Sequence, residues 1–188
     1  MQTRLDHALT DPSLRELPAE VNDLLRNLQA PPRLAAHLRA VHDVAHELTT
    51  WLATYPEVRF NRKTVLYGAA THDIGKIIHI EELSRPGSLH EKAGEQLLLE
   101  AGVAPQLARF AATHASWTEP GITVEDLLVS LADKVWKGKR VRELEQLLVD
   151  QLVIASGQES WQVFLDLDDQ LGKLAESAGA RLDFQNLY

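Results

Sequence analysis

Apolar residues recur at intervals of three and four along nearly the whole of this chain, and strand-like alternation is scarce. That spacing constrains the fold more than any other feature: it predicts an all-α chain of about eight helices. The expected helices lie at 13–29, 33–55, 62–76, 89–101, 104–115, 123–137, 140–155 and 158–178. Proline and glycine punctuate them, at Pro31-Pro32, Pro56, Arg85-Pro86-Gly87, Gly102, Glu119-Pro120-Gly121, Gly138 and Gly157. Ser88-Leu89-His90-Glu91 fits a capping box, with Ser88 at the N-cap and Glu91 at the third helical position. Gly102 suits the end of that helix and Pro105 the first turn of the next. No internal repeat, low-complexity segment or long linker interrupts the pattern, so the 188 residues are expected to form one domain. Its first 12 and last ten residues are expected to be peripheral.

Composition narrows the chemistry. The chain has no Cys, which excludes disulfides and thiolate metal sites. A bound metal would take His, Asp, Glu or backbone oxygen, a donor set suited to Mn, Fe, Mg, Co, Ni or Zn. The net charge of −8 argues against broad binding to a phosphate backbone, so no extended nucleic acid is expected as partner. MQTRLDHALTDPSLREL has no signal-peptide design, and no stretch approaches the length of a membrane span. A cytoplasmic protein without membrane contact is the expectation.

The eight histidines are the informative residues. A lone inward His is ordinarily a satisfied core residue. In the helix expected at 33–55, Leu34, Val41, Ala45, Leu48 and Leu52 form the apolar stripe, and His37 lies on its edge. His42 and His46 fall on the opposite flank, nearer solvent; their spacing of four would suit a helix-borne metal, but no further ligand accompanies them. His72 and Asp73 flank the side carrying Val65 and Ala69. The small Ala69, Ala70 and Gly75 allow another helix to come close. His90 shares a face with Ala93, Gly94 and Leu97, and His114 with Leu107, Phe110 and Ala111. Ordinary hydrogen bonds satisfy four inward histidines and a buried Asp poorly, whereas a metal site inside a helical bundle satisfies them together. Asp133 sits in the apolar run LLVSLADKVW, off the face defined by Leu127, Leu128, Leu131 and Val135, so the helical wheel alone leaves its placement open.

The ordered set His37 … His72-Asp73 … Asp133 resembles the H…HD…D signature of the HD-domain metal-dependent phosphohydrolases. The resemblance runs from about Arg33 to Arg142, and its segments are HLRAV (37–41), GAATHDIGK (68–76) and SLADKVWKGKR (130–140). It implies a single helical HD-domain bundle and an inward Asp133. HEKAGEQLL (90–98) and ATHASW (112–117) further resemble the six-ligand subgroup, H…HD…H…H…D, which holds two metal ions. In that pattern Asp73 bridges the ions, His37, His72 and Asp133 complete one site, and His90 and His114 the other. Symmetrical dinucleoside tetraphosphate hydrolases and cyclic-di-GMP phosphodiesterases of the HD-GYP type share the pattern. This chain departs from the latter in its single His114 and in TEPG (118–121) where a GYP tripeptide would stand.

The resemblance implies hydrolysis of a phosphoester or phosphoanhydride of a nucleotide or dinucleotide by metal-activated water, with two divalent ions, Fe or Mn favoured. Two ions about 3.5–4 Å apart both generate the nucleophile and neutralise phosphoryl oxygens. Asp73 and Lys76 take the catalytic positions, and Lys76, Lys134, Lys137 and Arg140 are expected to contact the phosphorylated substrate. Two alternatives stay open: a mononuclear HD nucleotidase in which His90 and His114 touch substrate, and a regulatory nucleotide-binding module with little turnover. The sequence is also compatible with a homo-oligomer.

Overall fold

The structure, a computed structural model, describes residues 3–188, and every regular element among them is helical. The helices are α1 (Arg4–Thr10), α2 (Ala19–Asn27), α3 (Pro32–Leu52), α4 (Arg62–Thr71), α5 (Leu89–Glu100), α6 (Pro105–Ala108), α7 (Phe110–Thr113), α8 (Val124–Val135), α9 (Arg142–Ser156), α10 (Ser160–Glu176) and α11 (Ala178–Leu187). Two 3₁₀ turns, Ile74–Ile77 and Ile80–Leu83, lie between α4 and α5. These are more segments than the eight expected, for local reasons. The 62–76 stretch stops being α-helical at Thr71 and tightens after Asp73. The 104–115 stretch is interrupted at Arg109. Helix α2 begins only after Pro18, which takes the N-cap position.

Helix α3 is the axis. Its first half, through Leu38, packs with α1, α2, α4 and Leu98, Ala108 and Ala111 in one apolar cluster. Its second half, from Ala40, packs with α8, α9 and α10 in a larger one. Between the halves sits Arg39, fully buried. Its guanidinium donates to the carbonyls of Ala8 (2.8 Å), Asp11 (2.6 Å), Arg15 (3.2 Å) and Leu14, and lies over the Phe184 ring. A buried cation is tolerated because each of these oxygens accepts from it.

Arg39 thereby corrects the expectation of peripheral ends; Met1 and Gln2 lie outside the described residues. Ala8 and Leu9 of α1 are fully buried. Helix α11 buries Phe184 and Arg181, and Arg181 donates to the carbonyls of Trp136 (2.8 Å) and Leu174. The C-terminal helix is thus fastened to the end of α8. Helix α8 is set at its other end by a capping box of Thr123 and Asp126. Asp126, fully buried, also accepts from Arg109 and Thr113.

The Ser88 capping box is not formed. The Ser88 side chain caps nothing; Glu82, from the preceding 3₁₀ turn, accepts from the amides of Leu89 and His90, both at 3.1 Å. A carboxylate supplied from seven and eight residues away satisfies the free N–H groups better than a neutral hydroxyl.

Two stability measurements follow. Arg39→Met is expected to lower urea stability by about 3 kcal/mol, because it strands several buried carbonyls. Burial opposes the charge of Asp126, but the hydrogen bonds from Arg109, Thr123 and Thr113 outweigh it and hold the carboxyl below its ordinary value. Its stabilisation is therefore complete above about pH 4 and is lost as pH falls through the lower folded value. The stability gap between the native chain and Asp126→Asn is expected to narrow only below that point.

Candidate metal centre

The ligand-bearing residues lie at the seam between the two apolar clusters. His37 comes from the first half of α3. His72 caps the C-terminus of α4, and Asp73 follows it in the bridge region of backbone space (φ −102°, ψ 11°). His90 lies in the first turn of α5, His114 caps α7, and Asp133 lies in the last turn of α8. Two glycines let α5 reach the centre. A Cβ on Gly75 would stand 2.0 Å from the His90 carbonyl oxygen, and one on Gly94 would stand 3.0 Å from the Gly75 amide nitrogen. Helix and turn therefore touch backbone to backbone, which brings His90 Nε2 within 3.0 Å of Asp73 Oδ1.

Six side chains form two groups, His37–His72–Asp133 and Asp73–His90–His114, with the ligand atoms of each group within 4.8 Å of one another. The groups meet at Asp73. Its Oδ2 faces His37 Nε2 (3.1 Å) and His72 Nε2 (3.7 Å), and its Oδ1 faces His90 Nε2 (3.0 Å) and His114 Nε2 (3.5 Å). Asp133 Oδ1 is 3.4 Å from His72 Nε2 and 3.9 Å from His37 Nε2.

The tautomers are set from behind. His72 Nδ1 lies 2.9 Å from the Ala69 carbonyl and His114 Nδ1 lies 3.0 Å from the Ala111 carbonyl. A carbonyl only accepts, so each Nδ1 carries the proton and each Nε2 presents its lone pair forward. The same tetrapeptide, Ala-Ala-Thr-His, builds both devices, at 69–72 and 111–114. His90 Nδ1 is held by Glu82 Oε2 at 2.5 Å, which likewise frees its Nε2.

These donors fit divalent cations. His37 Nε2 and His72 Nε2 approach to 3.3 Å, and the buried His90 Nε2 has no aligned hydrogen-bond partner. Imidazole lone pairs and carboxylates converging in a buried place repel unless a cation joins them. Second-contact carbonyls and carboxylates behind metal-binding histidines are the usual orienting arrangement.

Electrostatics agree. Burial works against ionised Asp73, and positive charge and hydrogen bonds from His72, His37 and His90 outweigh it to hold the carboxyl well below the usual range, a role that passes to a cation where those rings are neutral. Burial likewise opposes, and His72 and Lys134 overcome it, at Asp133. Burial pushes His114 down to about 4 and lowers His37 despite Asp73. Those imidazoles are neutral at pH 7, as metal coordination requires. At His90, burial is outweighed by Asp73 and Glu82, which raise its affinity for a proton.

The centre opens into a cleft of about 570 Å³. Lys76 and Lys134 reach into it, with Lys76 Nζ 2.5 Å from Asp73 Oδ2 and Lys134 Nζ 2.5 Å from Asp133 Oδ2. Lys137 lines it as well. Arg140 does not: its guanidinium is held by Glu145 (2.8 and 2.9 Å) and Asp168 (2.7 Å), so its expected place on the phosphate rim is corrected to a structural ion pair. His42 is not near solvent but buried, its pKa depressed by burial to about 4, and it joins neither ligand group. His46 instead meets Arg62. Trp136 packs edge-on against His37, 4.8 Å between ring centres.

Sequence reasoning missed Glu82, Arg33, Leu182 and Gln185. Arg33 carried a readable signal, one turn ahead of His37. Glu82 carried none, because its loop has no periodicity.

A family model described as HD domain matches residues 34–136, more than half of the chain. The chain belongs to the HD-domain family, whose members are of the metal-dependent phosphohydrolase type. Comparison with curated proteins and with solved structures gave no match. Among the described residues no helix is long and apolar enough to cross a membrane.

Glu82→Gln keeps shape but weakens both the hold on His90 and the α5 cap. Manganese affinity, read by calorimetry, is expected to fall by about 10- to 100-fold.

Proposed function

We propose that this chain is a dinuclear metal-dependent phosphohydrolase acting in the cytoplasm on a phosphoester or phosphoanhydride of a nucleotide or dinucleotide. The observation that carries the reading is the division of Asp73, whose two carboxylate oxygens face two separate histidine pairs. A carboxylate so placed suits the bridge between two ions. His37, His72 and Asp133 would hold one ion and His90 and His114 the other, with Asp73 shared.

Bound there, divalent ions supply Lewis acidity, lowering the pKa of water and neutralising phosphoryl oxygens. The protein's own residues do the rest. The carbonyls of Ala69 and Ala111 and the carboxylate of Glu82 keep three imidazoles aimed, so no reorganisation is needed when substrate arrives. Lys76, on the 3₁₀ turn that follows Asp73, is within reach of a phosphoryl oxygen or of the leaving group. Lys134 steadies Asp133 and adds positive charge at the cleft wall. Fe and Mn suit the four-imidazole, two-carboxylate set. The net charge of −8 supports a small phosphorylated substrate over an extended nucleic acid, with Arg33, Lys76, Lys134 and Lys137 lining the cleft.

Elemental analysis of the chain purified without added metal is expected to find two ions per chain. Asp73→Ala is expected to lose both ions and at least about 1,000-fold in hydrolysis of bis(p-nitrophenyl) phosphate. Retention of metal and activity by that variant would overturn the reading; one ion per chain would select the mononuclear form, with His90 and His114 as substrate contacts.

A further inference from the structure

The cations around the cleft fall into two sets. Lys76 and Lys134 lie on the ligand carboxylates, and Arg140 just beyond the cleft is held by Glu145 and Asp168. Arg33 and Lys137 differ. Both line the cleft and both are exposed. Among the described residues neither makes an ion pair or a hydrogen bond; Lys137 only leans over the Trp136 ring, at 5.9 Å. Among the described residues they are the cations lining the cleft whose side chains have no acidic partner.

Their placement is regular. Arg33 precedes His37 by four residues on α3, and Lys137 follows Asp133 by four, just past the C-cap of α8. Each therefore stands about one helical turn, roughly 6 Å, from a ligand of the same His37–His72–Asp133 group. Helix α11 contributes Leu182 and Gln185 to the same cleft and is fastened to the Trp136 carbonyl by Arg181. The cleft is also larger than a single phosphate needs. Leu83 and Pro86 give it a further apolar side on which a sugar, base or alkyl group can rest.

We propose that Arg33 and Lys137 form a second anion subsite, so that the substrate carries a second phosphate about one helical turn from the one placed at Asp73. This deepens the phosphohydrolase reading and rests on it for the position of the first phosphate. It favours substrates with two separate phosphate groups over monophosphates. A planar guanidinium and a flexible ammonium are both suited to a terminal phosphate.

The test uses simple probes that carry no base: 1,4-butanediol bisphosphate and butyl phosphate, titrated by calorimetry into the full chain in manganese. Metal content and bis(p-nitrophenyl) phosphate hydrolysis are measured on the same sample. The native chain is expected to bind the bisphosphate roughly tenfold or more tightly than the monophosphate. Arg33→Ala and Lys137→Ala are each expected to reduce that ratio about threefold or more, and the double variant to bring it close to one. Equal affinities in the native chain, or an undiminished ratio in the double variant, would overturn the subsite. Hydrolysis without discrimination defeats the subsite and leaves the phosphohydrolase reading standing. Discrimination that the double variant abolishes, in a chain that hydrolyses nothing, leaves the subsite standing and defeats the enzyme reading.

Discussion

One carboxylate organises this molecule. Asp73 is buried, ionised and surrounded by four imidazoles, and a buried anion survives only where its surroundings compensate it. That requirement places the ends of five helical segments around a single point. Helix α4 must stop at His72 so that Asp73 turns inward, α5 must come close enough for backbone contact at Gly75 and Gly94, and α7 must end where His114 faces the same oxygen as His90. The seam between the two apolar clusters supplies the site, because neither cluster alone could leave four polar rings inside it.

The chain's two ends matter more to the site than their distance in sequence suggests. Arg39 draws α1 and the loop after it onto the middle of α3 and stacks on Phe184 of α11. Arg181 returns the link by holding the last carbonyls of α8 and α10. The matched family segment, 34–136, carries all six candidate ligands, whereas Arg33, Lys137, Leu182 and Gln185 lie outside it. Such a division is physically sensible: the ligand cluster is set by the shared helices, and the residues around the mouth are free to differ from chain to chain.

Legibility in the sequence followed the range of the interactions. The helices of the interior were readable because periodic burial is written into consecutive residues, and boundaries slipped where a break served the site, as at Asp73. His37, His72, His90 and His114 could be assigned an inward face from the apolar residues one turn away, and all four reach one centre. The repeated Ala-Ala-Thr-His was a further local sign, since each copy places a histidine ring on the carbonyl three residues earlier. Asp133 lay off its helix's main apolar face, and only resemblance suggested that it turned inward. Glu82 displaced the Ser88 cap for a reason no local pattern shows: a folded loop brings a carboxylate to an unfilled helix start and to His90 at once. His42 and Arg140 went wrong in the same manner. His42 is covered by elements far away in sequence, and Arg140 finds Asp168 on another helix.

The sequence by itself determined that the chain is helical, that its donors are imidazole and carboxylate, and that a His-Asp pair stands at its centre, because each of these is a matter of residue type and short spacing. Tertiary structure decided which oxygen of Asp73 faces which ring, that Glu82 aims His90, that both terminal helices are anchored on α3, and that two cations remain unpaired beside the cleft. Those outcomes depend on distances between residues tens of positions apart, and only the packing of helix on helix sets such distances.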